Sequence, residues 1–113
     1  MILIIGGRAQ GKRRFAEENF GVTSYSDGAL GEENAVVNLH EAVRHGVRKE
    51  EIDAYLAAHP DAVIICDEVG CGIVPMAREE REWRENVGRL CTYLAGRADS
   101  VWRVFCGIGE KIK

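Results

Sequence analysis

The stretch ILIIGGRAQGKRRF at residues 2–15 constrains the fold more than any other part of the chain. Its four consecutive apolar residues, rich in Ile, predict a strand buried on both faces, as in a parallel sheet. Gly6-Gly7 ends that strand, and a helical pattern runs from about residue 11 to residue 20, with Gly21 as its stop. Strand, glycine turn and helix in that order let backbone N–H groups converge on phosphate oxygens at a helix N-terminus. The spacing Gly6-x4-Gly11-Lys12 adds a mobile ammonium for the terminal phosphates. The expected nucleotide-binding residues are Gly6, Gly7, Arg8, Ala9, Gln10, Gly11, Lys12 and Arg13, with Lys12 also a catalytic candidate.

Arg13 stands where such loops carry the Ser or Thr that ligates Mg²⁺, and a guanidinium repels a cation. Three readings stand on the sequence alone. Arg13 points away and leaves the backbone nest to bind phosphate. Its guanidinium takes over part of the metal's charge. Or the glycines only join strand to helix, with Lys12 and Arg13 exposed. ATP or GTP is the expected ligand under the first two, and Mg²⁺ an expectation weakened by Arg13.

A second pattern supports nucleotide chemistry. Residues 62–66 (AVIIC) predict another buried strand, and Asp67-Glu68 follow at its carboxyl end. Ligands collect at strand carboxyl ends in open parallel sheets. An Asp there holds a metal ion and a Glu polarises a hydroxyl nucleophile, so Asp67 is the metal candidate and Glu68 the second catalytic candidate. Two solvated acids at a strand exit is the plainer alternative.

The rest of the chain fills out an α/β pattern. Residues 22–34 predict a loop with at most one short strand, 35–39 a strand, and 40–46 a short helical turn. A helix follows at 50–58, broken by His59-Pro60-Asp61. Residues 76–95 predict the longest helix, initiated by Pro75, with Trp83, Val87, Leu90 and Leu94 as its core stripe. Residues 101–105 predict a last strand, and 107–113 a tail that adds an edge strand. Strands alternating with helices predict a mostly parallel three-layer sandwich, and 113 residues fit a single domain over 1–113.

Composition narrows the partners. A net charge of −3 argues against broad binding to nucleic acid, and no apolar run reaches the ~18–20 residues of a membrane span. The N-terminus has no basic leader, and Cys66, Cys71, Cys91 and Cys106 match no zinc spacing. Reduced thiols in a cytoplasmic protein are expected. Arg78, Arg81 and Arg89 share one sector of the long helix, either for phosphate or a neighbouring subunit, or as surface pairs with nearby glutamates. His40 is expected in a loop or core, and His45 and His59 at the surface.

The stretch from DEVGCGIVPMAREEREWRENVGRLCTYLA to the GIGEKIK tail, with the loop at residues 1–18, resembles the bifunctional adenosylcobinamide kinase/adenosylcobinamide-phosphate guanylyltransferase family. The EVGCGIVP turn is the most specific part. The resemblance implies a phosphate-loop NTPase-like fold, a homo-oligomer, a purine nucleotide and a cobinamide-type corrinoid. It implies phosphoryl transfer to a cobinamide hydroxyl and then GMP transfer through a histidine. Arg78, Arg81 and Arg84 match family arginines, which makes Arg78 and Arg81 phosphate or substrate candidates. The chain departs from that pattern at Arg13, at Cys91-Thr92 in place of Asn-Gln, and at residues 23–34, which contain no histidine. A catalytically inactive nucleotide-binding or oligomer-forming subunit is the competing expectation.

Overall fold

The structure, a computed structural model, describes residues 1–70 and 74–113. The expected α/β sandwich is present, and its sheet runs β2-β3-β4-β1-β5-β6. These strands are β1 (Ile2–Gly6), β2 (Ser26–Asp27), β3 (Ala35–Val37), β4 (Val63–Asp67), β5 (Ser100–Phe105) and β6 (Ile108–Lys111). All neighbours pair in parallel except β6, which returns antiparallel to β5. The two most apolar runs, β1 and β4, lie side by side in the middle, where both faces are covered.

Alternation along these strands builds two cores. Leu3, Val36, Ile64 and Val101 face one way and pack with three helices: α2 (Leu39–Arg44), α3 (Lys49–Ala58) and α4 (Arg78–Arg97). Val87, Leu90 and Leu94 are the buried stripe of α4, and Trp83 packs partly buried against the same cluster. Ile4, Val63, Ile65 and Val104 face the other way, against Phe15 and Ala16 of α1 (Lys12–Phe20). Phe15, Phe20 and Trp102 close that face as an aromatic cluster, with ring centroids 5.5–5.9 Å apart.

Several boundaries differ from the sequence expectation by one or two residues, and two of them have a local cause in the backbone. The strand expected over 35–39 stops at Val37, because Asn38 takes a left-handed φ of 56° and Leu39 opens α2. Asn tolerates that conformation better than most residues, and the turn it makes brings His40 inward. The long helix starts at Arg78 rather than Met76, with Ala77 still extended at its N-cap. Residues 71–73 of the EVGCGIVP turn, Cys71 among them, lie outside the described residues.

Candidate nucleotide cleft

The carboxyl ends of β1, β3 and β4 and the start of α1 enclose a cleft of about 900 Å³. Loop residues Arg8 to Gly11 and helix residues Lys12 to Arg14 form one wall. Asn38, His40, Asp67, Glu68 and Trp83 contribute to the others. Gly11, at the N-cap of α1, has φ 90°, a conformation that admits Gly far more readily than residues with a Cβ. Its position leaves the first N–H groups of the helix without a side-chain cap. The loop is tied to the β5–β6 turn: Cys106 N–H donates to Gln10 Oε1, and Gly107 N–H to the Gln10 carbonyl, both at 2.8 Å.

Lys12 is buried, and its ammonium bridges the Gly7 carbonyl and Asp67 Oδ1, each at 2.7 Å. The register explains the meeting, since Gly6 pairs with Asp67 and the loop folds back over that strand end. Asp67 also faces His40. The Asp67 backbone N–H donates to His40 Nδ1 at 3.2 Å, so the ring proton sits on Nε2. That Nε2 lies 3.4 Å from Asp67 Oδ2 and 3.9 Å from Glu41 Oε1. The His40 carbonyl accepts a 2.7 Å bond from Trp83 Nε1, and Arg44 stacks on the Trp83 ring at 3.7 Å.

Burial lowers the His40 pKa below the usual imidazole value, against the opposing pull of Asp67 and Glu41. An unfolded His40 binds a proton near pH 6.5, about its ordinary pKa, whereas the folded ring resists it. Stability from this group is therefore complete above that pH and is lost as pH falls through the depressed folded value. His40→Asn is expected to flatten the slope of Tm against pH in the acidic range below about 6.5. An unchanged slope would assign the effect to other groups.

Glu68 is held by Arg103, with Nε to Oε1 at 2.8 Å and Nη2 to Oε2 at 3.1 Å. The pair spans β1, which ends between them at Gly6. Arg13 is exposed, and its guanidinium lies 4.9 Å from the centroid of the Tyr25 ring. The Tyr25 hydroxyl donates to the Arg13 carbonyl at 3.2 Å, and burial, with help from Glu17, pushes its pKa up to about 12. Arg78 and Arg81 do not line the cleft. Arg78 pairs with Glu82 at 2.8 Å, and Arg81 donates to the Pro75 and Met76 carbonyls. Arg89 pairs with Glu85. Cys91 Sγ lies 3.6 Å from Cys66 Sγ; that contact and burial push the Cys66 thiol up, so it is inert packing.

Mg²⁺ asks for hard oxygen donors in near-octahedral array at about 2.0–2.1 Å. The Asp67 carboxylate faces Lys12 and His40, Glu68 is tied to Arg103, and the position after Lys12 offers a guanidinium. No group of three or more His, Cys, Asp or Glu among the described residues is arranged to hold a metal ion. This donor set does not suit Mg²⁺, and Asp67, the expected metal ligand, is seated as the partner of two other side chains.

Sequence reasoning missed the His40–Asp67 contact and the Glu68–Arg103 pair. Both depend on strand order, which the periodicity of one segment does not report. No helix among the described residues is long and apolar enough to cross a membrane.

The comparisons with known proteins agree on one family. Residues 22–112 match the profile described as cobinamide kinase / cobinamide phosphate guanyltransferase. The bifunctional adenosylcobalamin biosynthesis protein CobU of Salmonella typhimurium is 40% identical over 89 residues, covering 75% of this chain and 49% of that protein. The protein of the same name from Escherichia coli is 49% identical over 51 residues, covering 45% of this chain and 28% of that protein. The chain thus spans no more than about half the length of these curated relatives.

Proposed function

The chain belongs to the cobinamide kinase / cobinamide phosphate guanyltransferase family, whose fold is phosphate-loop NTPase-like, and on that premise we propose that its cleft binds ATP or GTP. The observation that carries this reading is the Lys12 ammonium, 2.7 Å from Asp67 at the mouth of the glycine loop. A bound phosphate would compete with Asp67 for that charge and collect the uncapped N–H groups of α1. Gly6 and Gly7 shape the loop, Arg8 to Gly11 supply backbone donors, and Lys12 and Arg13 supply charge. Phosphoryl transfer goes to the hydroxyl of a cobinamide-type corrinoid, with Glu68 released from Arg103 to orient that hydroxyl. Arg78 and Arg81 would reach phosphate or corrinoid only by leaving their present partners.

One domain over residues 1–113, working in the cytoplasm as a homo-oligomer, completes the reading. The free thiols of Cys66, Cys91 and Cys106 suit a reducing compartment, and exposed Phe105 and Ile108 suit a subunit contact. A second reading has its own support: a nucleotide-binding subunit without catalysis. Glu68 is committed to Arg103, and the 22–34 loop has no histidine to accept GMP.

Calorimetry with ATP and GTP, followed by transfer of labelled γ-phosphate to adenosylcobinamide, separates the two. Saturable binding with label on the corrinoid is the expected result. Binding without transfer favours the inactive subunit. No heat with either nucleotide removes the nucleotide reading.

A further inference from the structure

The first turn of α1 carries Lys12, Arg13 and Arg14 and no acidic residue. Cations at a helix N-terminus oppose the helix dipole, so this turn is electrostatically unfavourable until an anion arrives. Two of the three charges are already matched: Lys12 by Asp67 and Arg14 by Glu18. Arg13 forms no salt bridge among the described residues, and its guanidinium only rests against Tyr25. A cation–π contact at an exposed site is weak beside a charge-assisted bond to phosphate.

The oxygens that a metal ion would need are engaged at the same time. Asp67 is held by Lys12 and faces His40, Glu68 by Arg103, and Glu41 lies 3.5 Å from Arg44. Acidic groups are thus matched with protein cations, whereas Arg13 is a cation awaiting an anion. We propose that this cleft binds nucleotide polyphosphate without a divalent cation, the Arg13 guanidinium leaving Tyr25 to neutralise the phosphate charge that a metal ion would otherwise share. The planar fork of Arg suits two phosphate oxygens at once, which a Lys ammonium cannot match. Its position in the first turn sets it beside the uncapped N–H groups that would hold the same anion.

This inference rests on the nucleotide reading, and one set of titrations separates their failures. ATP and GTP are titrated into the full chain by calorimetry, once in EDTA and once in excess Mg²⁺. The expected Kd in EDTA is equal to or tighter than that in Mg²⁺. Arg13→Ala is expected to weaken binding in EDTA about tenfold or more. Its thermal melt should not fall, because the side chain is exposed and its charge opposes the helix dipole. Binding that needs Mg²⁺ would overturn the inference and leave the nucleotide reading standing. Unchanged affinity in Arg13→Ala would overturn it as well. Heat in neither buffer would remove both.

Discussion

Lys12→Ala is expected to weaken ATP and GTP binding about a hundredfold and to destabilise the unliganded protein by about 2 kcal/mol. The binding loss follows from removing the buried ammonium at the start of α1, which lies across the strand ends beside Asp67. The stability loss has a separate cause. The Lys12 and Asp67 side chains are 7% and 18% exposed, so their contact is largely screened from water. Removing the ammonium strands a mostly buried carboxylate beside the neutral His40 ring, its one other charged or ring partner among the described residues. An opposing term exists, since a cation at the start of α1 is unfavourable to the helix by about 0.3–1 kcal/mol. The stranded charge outweighs it. Removing both charges, as in Lys12→Met with Asp67→Asn, should recover most of the stability and none of the binding. Urea melts and calorimetry on both variants check the two effects independently. A single mutant as stable as the wild type would mean that water already screens Asp67.

How much of this was legible beforehand depends on the range of the interactions concerned. The glycine loop, the strand before it and the helix after it are local, and residues 2–20 state them directly. The strand that delivers Asp67 is equally plain, since AVIIC can hardly be anything but a buried element with an acid at its end. The partners of those residues were not legible. His40 reaches Asp67 because β3 lies next to β4, and Arg103 reaches Glu68 because β5 lies across β1. Pair order in a sheet is a property of the assembled chain. The error at Leu39 is of another kind. AVVNL continues an apolar strand pattern by composition, and only the left-handed Asn38 turns its last residue into a helix. Arg78 and Arg81 could be read as phosphate ligands or as surface pairs. The helix geometry places Arg78 four residues from Glu82, which is where it bonds.

Gly6→Ala is expected to destabilise the fold by about 3 kcal/mol, whereas Gly7→Ala should change stability by no more than about 0.5 kcal/mol. The two glycines are adjacent in sequence and differ in what surrounds them. A Cβ at Gly6 would stand 2.5 Å from the Val104 carbonyl oxygen and 3.3 Å from Lys12 Cδ. The first contact is with backbone, and Val104 is buried in β5 with no room to yield. Nor can β1 shift away, because it is paired to β4 on its other side through the same residues. Among the described residues, a Cβ at Gly7 would meet only Gln10 Cγ, at an ordinary 3.5 Å. Both substitutions restrict the unfolded chain alike, so their difference isolates the clash. The Gly6 change should also loosen nucleotide binding, since relief of the clash must move either the loop or Lys12. Equal losses in the two variants would refer the effect to loop flexibility and remove the close approach of β1 to β5 as the reason for glycine at position 6.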